Sequence, residues 1–186
     1  MHSFNTRKRA AEYILMADGY DGREIIAVLQ TYLKAGSTVL ELGMGPGKDI
    51  ELLEEKYRVT GSDVSQVFID MYREKKPASD LLNLDAVSLE TDRRFDCIYS
   101  NKVFHYLSAE QLKTSFARQG AVLNPGGILC HTLWYGDKQI DVKGMTFYYY
   151  TEQTIEDCYE GFELLLARKY REMDTDDSML LILRKS

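Results

Sequence analysis

The stretch VLELGMGPGKDI, residues 39–50, decides the fold class because it joins an apolar run to three alternating glycines and two acidic residues. The run Val39, Leu40 and Leu42 is typical of a buried strand. Ile50 and Leu53 then follow the glycines at helical spacing. The stretch therefore predicts a strand, a tight turn and a helix, an arrangement that often cradles phosphates.

Two phosphate-binding patterns fail when they are tested letter by letter. The dinucleotide fingerprint G-x-G-x-x-G, counted from Gly43, requires a third glycine where Lys48 stands. The Walker pattern requires a glycine where Leu42 stands and a hydroxyl where Asp49 stands. Asp49 also falls in the first turn of the predicted helix, where its carboxylate would repel a phosphate. The turn is therefore predicted to serve a ligand that is not polyanionic.

The size and charge of the chain favour one domain that acts on a small molecule. We predict a single domain over residues 1–186, because this length buries a sizeable core but leaves little room for two. A hydrophobic content of 45% with 28% charged residues is typical of a globular protein. The net charge of -6 disfavours nucleic acid and anionic membranes as partners.

The cysteines and the hydropathy pattern argue against several kinds of site. Cys97, Cys130 and Cys158 are far apart and lack metal-ligand spacing, so we expect neither disulfides nor a metal site. No stretch approaches the roughly 20 apolar residues of a membrane span. A cytoplasmic location is expected.

Strand-like and helix-like segments alternate along the rest of the chain, which predicts an α/β fold with a doubly wound, mostly parallel sheet and helices on both faces. A predicted helix after residue 21 stops at Gly36, and Ser108 with Gln111 forms a capping box for another. Residues 135–150 are less regular and precede a helix near Thr151. Strands are predicted at residues 39–42, 57–63, 81–85, 95–101 and 128–134, and a closing antiparallel hairpin at 162–170 and 178–185.

Five motifs follow one another along the chain, namely ELGMGPGKD (41–49), VTGSDVS (59–65), LDA (84–86), FDCIYSNKVFHYL (95–107) and LNPGGIL (123–129). In this order, they resemble the motifs of the class I S-adenosylmethionine-dependent methyltransferases that act on small molecules. The resemblance runs from about residue 20 to residue 186. It implies a Rossmann-like, seven-stranded sheet with an antiparallel last strand.

The resemblance also implies a cofactor, S-adenosylmethionine, whose sulfonium and ammonium groups explain why acidic residues surround the glycine turn. Asp63 would accept hydrogen bonds from the ribose, Val64 would pack on the adenine, and Glu41 would face the amino group. The implied cofactor-binding residues are Glu41, Gly43, Met44, Gly45, Gly47, Asp63, Val64, Asp85, Ala86, Ser100 and Asn101. Plainer roles stay open, such as turn formation for Asp85 and Asn101.

The chemistry implied is transfer of a methyl group, for which the protein mainly positions the reactants. His105 is the candidate catalytic base, although packing behind the cofactor is an alternative. His131 alternates with apolar neighbours in a predicted strand, which favours a buried, hydrogen-bonded side chain. The fourth strand ends in SNKVF (100–104) and not in N/D-P-P-Y/F, which disfavours DNA adenine and protein glutamine as acceptors.

Three functions are open at this point. The first is a methyltransferase with a small-molecule acceptor. Residues 1–20, with Tyr13 and Tyr20, would then form a lid over the pocket. The second is a cofactor-binding module without turnover that partners a catalytic subunit. The third is a nicotinamide-dependent oxidoreductase, which is disfavoured because Lys48 stands where the dinucleotide fingerprint requires a glycine.

Overall fold

A seven-stranded sheet forms the centre of the computed structural model, which describes residues 6–16, 19–142 and 144–186. Part of the predicted lid, residues 1–5 and 17–18, lies outside the described residues. The strands of this sheet are β1 (Thr38–Leu42), β2 (Arg58–Asp63), β3 (Leu81–Asn83), β4 (Phe95–Asn101), β5 (Leu123–Trp134), β8 (Phe162–Tyr170) and β9 (Ser178–Lys185). Two further strands, β6 (Gln139–Val142) and β7 (Met145–Tyr148), pair only with each other.

Among the helices of the described residues, two precede β1, three connect successive parallel strands and one lies between β7 and β8. None of them is long and apolar enough to cross a membrane. They are α1 (Arg7–Met16), α2 (Arg23–Leu29), α3 (Lys48–Glu54), α4 (Gln66–Lys75), α5 (Ala109–Val122) and α6 (Glu152–Glu156), with a short 3₁₀ turn at Phe104–Tyr106.

The strand order is β3-β2-β1-β4-β5-β9-β8, and the first five strands in this order are parallel. Only β9 runs against its neighbours β5 and β8. Glu41 pairs with Gly61 of β2 and with Tyr99 of β4, so these strands end at nearly the same level. The predicted doubly wound sheet with an antiparallel last strand is confirmed.

Two cores lie on opposite faces of the sheet because side chains alternate along each strand. Val39 packs in one core with Leu29 of α2, whereas Leu40 packs in the other with Phe116 of α5. All four side chains are fully buried. Helices therefore cover both faces, as the sequence predicts.

Three predicted boundaries are wrong. Helix α2 ends at Leu29, before Gly36, since the amides of Thr31 and Tyr32 donate to carbonyls three residues back in tighter turns. Strand β3 ends at Asn83, because the carboxylate of Asp85 accepts from the amides at 87 and 88 and turns the chain. Strand β5 begins at Leu123, and the Pro-Gly-Gly segment belongs to it beside an irregular register with β4.

The prediction of a less regular stretch at 135–150 is also wrong, since it contains the hairpin of β6 and β7. Each strand has four residues, and such short strands give little alternation to detect. The capping box at Ser108 is confirmed, because its hydroxyl accepts from the Gln111 amide and the Gln111 side chain accepts from the Ser108 amide.

A buried carboxylate, Asp49, joins three elements around the glycine turn. The carboxylate sits in the first turn of α3 and is almost completely buried. Its donors are the amide of Gly22 at 2.7 Å, the hydroxyl of Tyr99 at 2.7 Å and the side-chain amide of Asn101 at 3.1 Å. Gly22 has to be a glycine, because a Cβ there would lie 2.1 Å from the Tyr99 hydroxyl oxygen.

Replacing Asp49 with alanine is expected to lower the free energy of unfolding by about 3 kcal/mol, since three buried donors lose their acceptor. Urea unfolding followed by circular dichroism measures the change. The control is Glu51→Ala, which removes an exposed carboxylate from the same helix and should cost less than about 0.5 kcal/mol. Equal losses in the two variants would contradict the role assigned to Asp49.

Candidate active site

A pocket of about 810 Å³, including its open mouth, lies at the carboxyl ends of β1, β2, β3 and β4. Polar and apolar residues of four different loops converge there. Seven of the predicted cofactor-binding residues line it, namely Gly43, Gly45, Asp63, Val64, Asp85, Ala86 and Asn101. The strand order therefore brings together residues that are up to 58 positions apart in the sequence, from 43 to 101.

The glycine turn needs its glycines for two different reasons. Gly43, Gly45 and Gly47 all have positive φ angles, of 66°, 50° and 81°. A Cβ at Gly43 would lie 2.5 Å from Val103, and one at Gly47 would lie 2.2 Å from the ring of Tyr72, so packing excludes side chains there. At Gly45 the nearest atom to a Cβ is 3.8 Å away, in the ring of Tyr13. The backbone at Gly45 is thus open to the pocket.

Asp63 joins the end of β2 to the glycine turn through its carboxylate. One oxygen accepts from the amide of Gly45 at 2.9 Å and the other from the amide of Ser65 at 2.8 Å. Burial raises the pKa of Asp63, and the backbone hydrogen bonds from Ser65 and Gly45 oppose that rise. The next residue, Val64, is 42% exposed and offers an apolar surface in the pocket.

Three predicted residues lie behind the glycine turn and do not line the pocket. Met44 packs with Ile50 and Tyr72, and Gly47 precedes α3. Glu41 is buried under the turn, and its Oε2 atom has no hydrogen-bond partner among the described residues. Burial, together with Asp49 and Asp63, raises the pKa of Glu41 well above its ordinary value of 4.5. Glu41 is therefore a buried carboxyl group with unused hydrogen-bonding capacity.

The end of β4 directs its two polar side chains differently. The hydroxyl of Ser100 lies 2.8 Å from Nδ1 of His131, inside the core. Asn101 lines the pocket, donates to Asp49 and accepts from the hydroxyl of Thr132 at 2.5 Å. Asn101 is thus held by two partners at the pocket wall, while the side chain of Ser100 faces away from it.

The two candidate histidines differ in their surroundings. His131 is fully buried and has partners on both ring nitrogens, Ser100 and Gln119, so the expected buried and hydrogen-bonded role is confirmed. His105 lies in the 3₁₀ turn and stacks on Phe147 of β7, with ring centroids 5.4 Å apart. Its Nδ1 atom has no partner among the described residues, and burial lowers its pKa to about 3.

Lys102 and Tyr106 are among the pocket-lining residues for which no role was predicted from the sequence. Lys102 adopts a left-handed backbone conformation with a φ of 56°. Its ammonium group binds Glu172 at 2.9 Å and lies 3.6 Å from the centre of the Trp134 ring. These partners are 70 and 32 positions away in the sequence, so no local pattern could have indicated them.

Tyr13 of α1 also lines the pocket, opposite the strand ends. Its ring packs edge-on against Phe68 of α4 at a centroid distance of 5.9 Å. An ion pair between Arg7 and Glu74 links the same two helices. The described part of the N-terminal segment thus forms one wall of the pocket.

Comparison with known families and proteins agrees with this geometry. A family model described as a methyltransferase domain matches residues 39–127. A trans-aconitate 2-methyltransferase of Paracidovorax citrulli is 33% identical over 102 residues, which are 52% of this chain and 38% of that protein. A tRNA (carboxymethyluridine(34)-5-O)-methyltransferase of Macaca fascicularis is 29% identical over 102 residues, 55% of this chain and 15% of that protein. The chain thus spans less than half the length of these relatives.

Solved structures share the fold over nearly the whole chain. The 1,6-didemethyltoxoflavin-N1-methyltransferase of Burkholderia thailandensis has a TM-score of 0.78 at 19% identity and covers 95% of this chain and 83% of its own. The N-methyltransferase NodS of Bradyrhizobium japonicum, in complex with S-adenosyl-L-homocysteine, has a TM-score of 0.75 at 21% identity and covers 97% and 98%. These structures show the fold, the family model shows a methyltransferase domain at residues 39–127, and the predicted resemblance to the class I S-adenosylmethionine-dependent methyltransferases is confirmed.

Proposed function

We propose that this chain transfers a methyl group from S-adenosylmethionine to a small-molecule acceptor. The observation that carries the proposal is the single pocket in which the glycine turn and the ends of β2, β3 and β4 meet. Seven residues with predicted roles in cofactor binding line this pocket and come from all four of these segments. The parallel strand order places these four segments at one edge of the sheet.

The residues present fit this cofactor in charge and shape. The buried Oε2 of Glu41 has no partner among the described residues, and it lies under the turn where the ammonium group is expected. A polyphosphate would meet the carboxyl groups of Glu41 and Asp63, and the neighbouring Asp49 and Asp63 already raise the pKa of Glu41. A cationic nucleoside with one carboxylate suits this site better.

When bound, the cofactor supplies an activated methyl group on a sulfonium. The residues of the chain have to orient it and keep water away. Gly45 lets the backbone approach, Asp63 would hold the ribose, and Val64 would cover the adenine. Tyr13 and Tyr106 would close the pocket from the side of α1 and the 3₁₀ turn. Positioning of this kind supplies much of the rate in displacement reactions.

The lid proposed for residues 1–20 fits the position of α1. This helix is fastened to α4 by the Arg7 to Glu74 ion pair, which is exposed and therefore weak. Tyr13 covers the open side of Gly45, with 3.8 Å between its ring and the site of a Cβ. We propose that α1 moves aside to admit the cofactor and then covers it.

Two observations support a small acceptor, the net charge of the chain and the names of its relatives. The net charge of -6 disfavours a broad nucleic-acid surface. Trans-aconitate, which the relatives from Paracidovorax citrulli and other bacteria methylate by name, is the first acceptor to test. Three buried, unpaired thiols agree with a proposed cytoplasmic location.

The direct test incubates the purified chain with methyl-labelled S-adenosylmethionine and a panel of acceptors that includes trans-aconitate and a metabolite extract. Label in a small product supports the proposal. Label in added tRNA would instead support the activity in the name of the Macaca fascicularis relative. Binding of the cofactor with no labelled product in any arm would favour a binding module without turnover.

Replacing Asp63 with alanine is expected to weaken the binding of S-adenosylhomocysteine by about 1 to 3 kcal/mol, because charge-assisted hydrogen bonds to the ribose are lost. Calorimetric titration measures the dissociation constant. The control is Asp70→Ala on the solvent face of α4, which should leave it unchanged. An Asp63→Ala variant that is folded and binds as tightly as the original would remove Asp63 from the site.

The affinity for S-adenosylhomocysteine is expected to rise with pH. Glu41 holds its proton above pH 4.5 in the free protein because its pKa is raised, and an ammonium beside it favours the ionised form. Binding therefore releases a proton at pH values between the pKa of Glu41 in the complex and its raised pKa in the free protein, and the affinity gains up to about tenfold per pH unit there.

The matched ligand for this test is 5′-methylthioadenosine, which has the nucleoside but no amino group. Its affinity should rise less with pH, and the Glu41→Gln variant should abolish the difference between the two ligands. Calorimetric titrations from pH 5 to about pH 8 provide the comparison. Identical pH dependence for the two ligands in the unaltered protein would contradict a contact between Glu41 and the amino group.

His105 remains the proposed catalytic base, and it can act only if β7 moves off its ring. Its neutral imidazole could then accept a proton from the acceptor, and its Nδ1 atom has no other partner among the described residues. His105→Gln is expected to lower kcat by about 100-fold with little change in cofactor affinity. Initial rates with the identified acceptor measure this, and an unchanged kcat would assign His105 to packing alone.

A further inference from the structure

A chain of four buried polar side chains crosses the core from the end of β4 to the loop after β3. It runs from Ser100 through His131 of β5 and Gln119 of α5 to Ser115 of α5, and all four side chains are fully buried. The successive distances are 2.8 Å from Ser100 to His131, 2.8 Å from His131 to Gln119, 3.0 Å from Gln119 to Ser115 and 2.6 Å from Ser115 to the carbonyl of Ala86.

The direction of every hydrogen bond in this chain follows from its last member. A carbonyl can only accept, so the hydroxyl of Ser115 donates to Ala86 and accepts from the amide nitrogen of Gln119. The amide oxygen of Gln119 then faces His131, whose Nε2 atom has to carry the proton. Nδ1 is left to accept from the hydroxyl of Ser100. One tautomer and one amide orientation therefore satisfy the whole chain.

The hydrogen-bond chain carries no charge near neutral pH. Burial lowers the pKa of His131 to about 3, so its ring carries no charge near neutral pH. Each buried polar group has a partner, which avoids the penalty of an unsatisfied group in the core. The arrangement fixes the rotamer of Ser115 through three other side chains.

The segment that Ser115 holds is also fixed from within, because the carboxylate of Asp85 accepts from the amides at 87 and 88. Residues 84–94 form no helix or strand between β3 and β4. Arg118, also on α5, donates to the carbonyls of Ser88 at 2.9 Å and Leu89 at 3.2 Å. Two side chains of helix α5 thus bind three carbonyls of this loop, those of residues 86, 88 and 89.

The loop carries Asp85 and Ala86, which line the pocket on the side where the adenine is proposed to bind. We propose that Ser115 is a positioning residue for the cofactor, which acts by fixing the backbone at Ala86 through the hydrogen-bond chain from Ser100. This inference rests on the proposed function, since it assigns the adenine side of the pocket to this loop. Ser115 itself would not contact the cofactor.

The test compares Ser115→Ala with Thr114→Ala, the adjacent exposed hydroxyl of α5, which donates to the carbonyl of Glu110 in its own helix. Ser115→Ala is expected to weaken the binding of S-adenosylhomocysteine and of adenosine by the same factor, about five- to tenfold, because both ligands contain the base. The KM for S-adenosylmethionine should rise by a similar factor while kcat at saturating cofactor stays within about twofold. Thr114→Ala should change neither constant.

A purely structural role for Ser115 would lower the thermal stability without moving these constants at a temperature where the variant is folded. Such a result, or an equal effect of Thr114→Ala, would overturn the inference. If Ser115→Ala does not fold, Ser115→Cys keeps the volume with a weak donor, and unaltered binding by this variant overturns the inference equally. If the unaltered protein does not bind S-adenosylhomocysteine, the proposed function fails and the inference falls with it. Binding by the unaltered protein with no loss in the Ser115 variants refutes the inference alone.

Discussion

The buried carboxylate of Asp49 is the constraint on which the pocket depends. It accepts from the start of α2, from Tyr99 inside β4 and from Asn101 at the end of β4. These contacts fix α3, and with it the glycine turn, against the sheet. An acidic residue stands in this glycine-rich turn because it is a structural acceptor on the side away from the pocket. In a phosphate-binding turn the start of the helix is left open for the phosphate, whereas here the carboxylate of Asp49 and its donors occupy it.

The same region contains buried carboxyl groups whose ionised form is disfavoured by burial. Burial raises the pKa of both Glu41 and Asp63, and neighbouring carboxyl groups add to the rise for Glu41. Asp63 is compensated by two backbone amides, whereas the second oxygen of Glu41 has no partner among the described residues. A cation would relieve this cost and a polyanion would increase it. The electrostatics of the free protein therefore already favour one class of ligand.

The strand ends that line the pocket could be predicted from the sequence because they depend on local signals. An apolar run that ends in a glycine or a polar residue is a recognisable strand signal, and β2 and β4 end at Asp63 and Asn101 as predicted. Side-chain direction was harder to predict, since Ser100 and Asn101 are neighbours and yet face opposite ways. The hairpin of β6 and β7 was not predicted because its strands are short and its side chains are exposed in β6 and half-exposed in β7. The partners of Lys102 and Ser115 lie far off in the sequence, where no spacing rule applies.

The position of β9 has a consequence for how the chain folds during synthesis. This strand, residues 178–185, lies between β5 and β8, and among the strands that the structure describes it alone joins β8 to the sheet. A nascent chain that has emerged only as far as β8 therefore leaves the edge of β5 unpaired and β8 without a neighbour. The sheet closes only after residue 185 has left the ribosome, and until then chaperones have an exposed apolar edge to shield.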